Sequence, residues 1–163
     1  MLDDKPVKSM NSERGMVGLC VAMLRSEQIP TYAKDYVIAF GGCAQKKALK
    51  TVEKYSIKAD MWMALPDLLT ACMSSSGAIL LDHLYVFGGK NEFGQYLNRI
   101  ERLNLKNFGN KFEPVEVQMP EAACDVGLLP LRANQNSAEV LILGGYNGNC
   151  LDSQHRFTAA ASC

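Results

Sequence analysis

The sequence is poor in the residues that most often carry chemistry: among 163 residues, His83 and His155 are the only histidines and Trp62 the only tryptophan. The six cysteines form no Cys-x-x-Cys pair, so no zinc-ribbon or thioredoxin-type spacing is present. Asn-x-Ser/Thr acceptors are absent as well, and the two absences together point to a reducing compartment, the cytoplasm or nucleus. Charge of one sign is missing: 17 basic residues balance 17 acidic ones, so no global field draws the chain to phosphate backbones or an anionic membrane. Neither nucleic acid nor membrane is an expected partner. The opening MLDDKPVK lacks a basic region leading into an apolar stretch, and the early apolar run from Met16 to Leu24 falls far short of the roughly 20 residues a membrane helix needs.

What the sequence does hold is repetition. Three apolar runs each end in a glycine pair: Tyr36 to Gly42 (YVIAFGG), Leu84 to Gly89 (LYVFGG) and Glu139 to Gly145 (EVLILGG). The second glycines lie 47 and 56 residues apart, close to the roughly 50 of a propeller blade and far from solenoid periods. Each run reads as a short strand covered on both faces, and the glycines permit positive φ where the strand leaves a crowded centre. An apolar run precedes each pair: Met16 to Leu24, Gly77 to Leu81 with a turn at Asp82-His83, and Val126 to Leu131 before the polar loop 132–137. After each pair come a polar loop and an alternating strand, at 51–57, 99–105 and 153–157, expected to have one buried and one wetter face. A fourth strand is expected in two units, Met61 to Pro66 and Phe112 to Pro120, each stopped by proline.

These residues resemble the kelch-repeat family, whose pattern runs from an apolar strand and Gly-Gly to an aromatic, a tryptophan and a leucine-proline step. The first unit matches with Gly41, Gly42, Tyr55, Trp62, Leu65 and Pro66. The second keeps Gly88, Gly89 and Pro120, with Leu103 for the tyrosine and Phe112 for the tryptophan; the third carries Gly144, Gly145, Tyr146, Asn147 and Gly148. The resemblance implies an all-β fold of kelch-type propeller blades, each of four antiparallel strands: blade one over 16–66, blade two over 67–120 and a partial third over 121–157. Residues 158–163 are expected to form a small-residue tail outside the blades. Residues 1–15 form an N-terminal segment whose stretch Pro6 to Met10 is a candidate outer strand for the third blade. With two full blades and most of a third, the propeller is expected to be incomplete, because closure typically takes 4–8 blades. Completion by another copy, as a homo-oligomer, is therefore the alternative function.

The loops joining second to third strands, 43–50, 90–98 and 146–152, share one face with the connections between blades, 67–76 and 121–125. Loops on a rigid scaffold are where recognition usually resides. Within them Lys46, Lys47, Lys90, Glu92, Phe93, Tyr96, Tyr146 and Asn147 are the expected contacts with a partner protein, with Phe93 and Tyr96 equally readable as caps folded over the blade edge. The resemblance further implies arginines at the blade connections of receptors for acidic peptides, where this chain has Cys72 and Cys124. The same face also gathers Cys43, Cys72, Cys124 and Cys150, which leaves a thiol cluster to consider.

No catalytic site is expected, and no cofactor. Copper radical oxidases share the resemblance but need several histidine and tyrosine ligands, whereas His83 reads as a turn residue and His155 as a strand-surface residue. Gly-x-Ser-x-Gly is absent, and the GGYNGN string leads into a strand, not a helix N-terminus that would hold an anion. Glu53 and Glu101, at equivalent places in two third strands, read as solvated. Non-enzymatic protein recognition, of the adaptor or substrate-receptor type, is the function expected.

Overall fold

The computed structural model describes residues 7–15, 36–106 and 111–160, with the backbone of 18–21. Pro6, Met16, Val17 and 22–24 of the expected elements, and the last three residues of the chain, lie outside them. No helix occurs among the described residues; every element is a strand.

The first sheet has the order β1 (Gly18–Val21), β2 (Tyr36–Phe40), β5 (Val52–Ser56), β6 (Met61–Leu65). The second runs β7 (Ser76–Leu80), β8 (His83–Phe87), β9 (Ile100–Asn104), β10 (Glu113–Pro114). The third contains β11 (Gly127–Ala133), β12 (Ser137–Leu143) and β13 (Gln154–Ala160). All neighbours are antiparallel, and the inner strands β1, β7 and β11 adjoin one another in that order. This is the architecture of partial kelch β-propeller blades, two of four strands and one of three.

Sheet two explains why its strands read as continuous apolar runs. On one face of β8 and β9, Leu84, Val86 and Leu103 pack with Ile38, Phe40, Val52 and Leu65 of sheet one. On the other, Tyr85, Phe87 and Ile100 pack with Val140, Ile142 and Phe157 of sheet three. Phe87 is sealed completely and meets Phe157 edge to face at 5.4 Å. Burying one such side chain contributes about 1.5–3 kcal/mol, so the two interfaces carry most of the stability the sheets have to share.

Several expectations need correction. Two of the third strands have no wet face: β5 is buried at Val52, Glu53, Tyr55 and Ser56 and β9 at Ile100, Glu101 and Leu103, because a neighbouring sheet or an incoming segment covers each side. By contrast β13 alternates as expected, with Phe157 and Ala159 buried and Gln154, Arg156 and Thr158 exposed. The turn before β8 is Leu81-Asp82, with Leu81 at φ 53°, and His83 begins the strand. The outermost strand of sheet two is only Glu113–Pro114, since Pro114 has no N–H to extend a ladder. Two further bonds, Val115 N to Ile100 O (2.9 Å) and Met119 N to Asn98 O (2.7 Å), continue its line without regular pairing. The expected tail from residue 158 instead prolongs β13, where Ala159 pairs with Ala138 and is buried. Residues 7–10 form no strand and lie against sheet one, held because the Trp62 indole N–H donates to Lys8 O (2.9 Å) and Lys8 N donates to Asp60 (3.3 Å). Loop 43–50 is itself a small hairpin, β3 (Cys43–Ala44) and β4 (Lys47–Ala48), turning on Gln45 and Lys46, both with positive φ.

Candidate interaction face

The glycine pairs organise the face. The first glycine of each takes φ 59°, 56° and 55°, and the second φ 101°, 102° and 111°, backbone that side chains rarely adopt. Gly41 and Gly88 also admit the incoming connection: a Cβ would stand 2.5 Å from Cys72 O in one and 2.3 Å from Ala123 O in the other. The residue after each pair then bonds back to a connection, Cys43 with Gly15, Lys90 with Met73 and Tyr146 with Cys124. Tyr55 and Trp62, from the same repeat pattern, stack at 5.2 Å on the outer strands of sheet one. The Tyr55 hydroxyl donates to Asp60 (2.6 Å), a bond that holds the Asp60 carboxyl below its ordinary range and pushes the phenol up.

On this scaffold the expected contact residues fall into two groups. Phe93 is 81% exposed at the tip of a loop braced by Asn91, whose Oδ1 accepts from Phe93 N (3.0 Å) and Gln95 N (2.9 Å). The Asn91 amide donates to Gln95 Oε1 (2.8 Å), and Asn91 N to Gln95 O (3.0 Å), closing the loop on itself. Tyr96 is half-buried: Tyr146 packs edge-on at 6.0 Å and the Lys90 ammonium lies 5.2 Å from its ring centre. Tyr146 keeps an exposed edge (43%), and Asn147 beside it is exposed. Glu92 is exposed next to Phe93, and Lys46 and Lys47 project from the small hairpin. Connections bridge the neighbouring loops, Leu49 to Cys72 on one side and Met73 to Lys90 on the other, so the face is continuous.

Two buried ion pairs were not visible as such in the sequence. Glu101, only 2% exposed, pairs with Arg99 (3.0 Å) and accepts the backbone N–H groups of Leu69 (2.9 Å) and Thr70 (3.0 Å) from the preceding connection. Glu53, 3% exposed, pairs with Arg14 (3.5 Å) and accepts from Ser12 Oγ (3.2 Å). Both glutamates are therefore clamps on incoming segments and not solvated residues. The equivalent residue of sheet three is His155, opposite Ile142, with its Nε2 sealed and without a partner among the described residues. The signal that would have found the clamps is an acidic residue recurring one place into two of the three third strands, in blades otherwise buried.

Arg14 also corrects the arginine expectation. Four residues before the inner strand, it matches Cys72 and Ala123, not Cys124. Its guanidinium donates to Thr51 O (2.8 Å) and Gly41 O (3.2 Å) and is fully enclosed, so it braces the blade instead of facing a ligand. Two of the four thiols, Cys72 and Cys124, are shifted away from the thiolate. Burial pushes the Cys72 thiol up, and burial with the neighbouring Asp125 pushes Cys124 up to about 11. Among the described residues no three His, Cys, Asp or Glu side chains come together as metal ligands, and no helix is long and apolar enough to cross a membrane.

Residues 71–115 match the kelch motif. The influenza virus NS1A-binding protein homolog of Xenopus laevis is 40% identical over 55 residues, 34% of this chain and 9% of that protein. Human kelch-like protein 33 is 41% identical over 59 residues, 36% of this chain and 11% of its own length. The kelch repeat and BTB domain-containing protein 2 of cowpox virus is 29% identical over 82 residues, 47% of this chain and 15% of that protein. The matched stretch thus spans only a small part of each of these curated relatives. Residues 71–115 thus carry a kelch motif, and the glycine pair that marks it recurs after the second strand of all three sheets.

Proposed function

We propose that the chain is a non-enzymatic recognition scaffold of the adaptor or substrate-receptor type, and that its loop-bearing face binds a partner protein through Phe93, Tyr146 and the residues around them. The observation that carries this is Phe93 itself: a phenyl ring 81% exposed, on a loop whose own hydrogen bonds hold it in one conformation. Exposing such a ring costs solvation, and a braced loop loses little entropy when a partner covers it. Lys46, Lys47, Lys90, Glu92 and Asn147 supply a polar rim of mixed charge around the aromatics, the make-up of protein interfaces. One relative is named for binding the NS1A protein of influenza virus, which accords with recognition of proteins. The free thiols Cys43, Cys72, Cys124 and Cys150 accord with a cytoplasmic setting.

The test uses a partner identified by proximity labelling and then purified. Its affinity by calorimetry falls about 30-fold for Phe93→Ala, the scale of an interface hot spot near 2 kcal/mol, with an unchanged melting curve. Unchanged affinity in Phe93→Ala and in the Phe93→Ala/Tyr146→Ala double variant overturns the assignment of this face.

A further inference from the structure

The repeat keeps the loop geometry of the face and changes its charge from sheet to sheet. Leu49 N bonds Gly42 O (2.9 Å), Leu97 N bonds Gly89 O (2.9 Å) and Leu151 N bonds Gly145 O (3.0 Å), so the residues that follow, Lys50, Asn98 and Asp152, hold equivalent places. Met73 and Cys124 each exchange two backbone bonds with the residue after a glycine pair, so Ser74 and Asp125 correspond, both at φ 53°. Cys72 O and Ala123 O each accept from the second glycine of a pair, which matches Thr70 with Glu121. At all three places the residue that belongs to sheet three is an acid, where its counterparts are basic or neutral.

The exposed aromatic area lies on that same half. Tyr146, 43% exposed, is bonded through its backbone to Cys124, the residue before Asp125, and Phe93, 81% exposed, follows Glu92 in loop 90–98. Loops 90–98 and 146–152 and the connection 121–125 together carry Glu92, Glu121, Asp125 and Asp152 against a single base, Lys90. Lys90 is engaged within the face, its ammonium 5.2 Å from the ring centre of Tyr96. Among the described residues none of the four carboxylates is in an ion pair. Asp125 accepts from the Cys124 thiol (3.2 Å) and Glu121 from the Ser153 hydroxyl (3.4 Å), while Glu92, Asp125 and Asp152 are exposed. Loop 43–50, over sheet one, has Lys46, Lys47 and Lys50 and no acid. The face is therefore polarised, with its exposed rings at the acidic end.

On the reading of this face as the partner-binding surface, we infer that the partner meets its acidic half with a basic segment bearing arginine, whose guanidinium stacks on Tyr146 while Glu92, Asp125 and Asp152 supply the opposite charge. A guanidinium is planar and weakly hydrated, so it can lie on a ring and still direct N–H donors at carboxylates, which a lysine ammonium does less well. The Lys90 contact with Tyr96 is the same attraction of cation to ring, already present inside the face. An acidic segment would instead set its charge against four carboxylates that no base offsets, and such juxtaposition of like charges excludes wrong partners.

The test pans a random-peptide phage library against the full chain. Enriched peptides carry arginine well above its frequency in the input library, and Phe93→Ala/Tyr146→Ala abolishes their enrichment. For the leading peptide, made synthetically, calorimetry gives about tenfold weaker binding to Asp125→Asn/Asp152→Asn, a loss that shrinks at high salt. Binding weakens about threefold when the peptide's arginine is replaced by lysine. Asparagine suits position 125 because it tolerates positive φ, and an unchanged melting curve confirms the fold. If that variant melts early, Glu92→Gln decides in its place. Peptides that need the two aromatics but hold no excess of arginine, or that bind the asparagine variant as tightly as the unaltered chain, overturn the inference and leave the reading of the face standing. Enriched peptides indifferent to Phe93→Ala/Tyr146→Ala overturn both. A library that yields no enriched peptide overturns the inference.

Discussion

At the scale of single residues, exposure separates recognition from architecture. Phe93 contributes almost nothing to folding, so Phe93→Ala leaves stability within about 0.5 kcal/mol by urea denaturation, as substitutions away from the core do. Asn91→Ala frees the loop, and the amide of Gln95, now without its side-chain acceptor, loses protection in hydrogen exchange. Tyr55 and Asp60 give a pH test. The Tyr55 hydroxyl bond, then the Lys8 amide, hold the Asp60 carboxyl below its ordinary range. A depressed carboxylate stabilises the fold above its ordinary pKa, and that contribution is lost as pH falls through the lowered value. Tyr55→Phe removes the larger cause, so the Asp60 carboxyl carbon titrates at higher pH by NMR than in the unaltered chain.

At the scale of elements, the glycine pairs and apolar runs were legible because they answer to the backbone: only glycine tolerates the approach of a carbonyl at Gly41 and Gly88. Gly88→Ala therefore destabilises by more than the roughly 1–2 kcal/mol of a left-handed residue, since Ala123 O blocks the new methyl. Gly148→Ala, where nothing lies within 4 Å, loses less, and paired denaturation curves compare the two. Glu53 and Glu101 were misread because alternation was taken to mean a wet face. Where a neighbouring sheet or an incoming segment covers that face it is dry, and a carboxylate there survives only with an arginine and hydrogen-bond donors around it. Glu101→Ala strands Arg99 and the Leu69 and Thr70 amides, a loss of about 3–5 kcal/mol, whereas Glu101→Gln keeps an acceptor and loses less. The path of residues 7–14 was illegible for a related reason. Its hold depends on side-chain to backbone bonds from Arg14 and Trp62, which leave no periodic pattern in the sequence.

At the scale of the whole molecule, three sheets share two apolar interfaces, and sheet two, covered on both sides, is the most protected. The rigidity of that frame is what lets loops from different sheets present one surface, with Tyr96 of the second resting on Tyr146 of the third. The claim that this surface, and not the opposite one, meets the partner protein is tested most directly by photocrosslinkers at Phe93, Tyr146 and Gln135, the last in the exposed turn at the far end of β12. Adducts with the partner at positions 93 and 146 and none at 135 are the predicted result. Adducts at 135 alone, or equal yields at all three positions, contradict it.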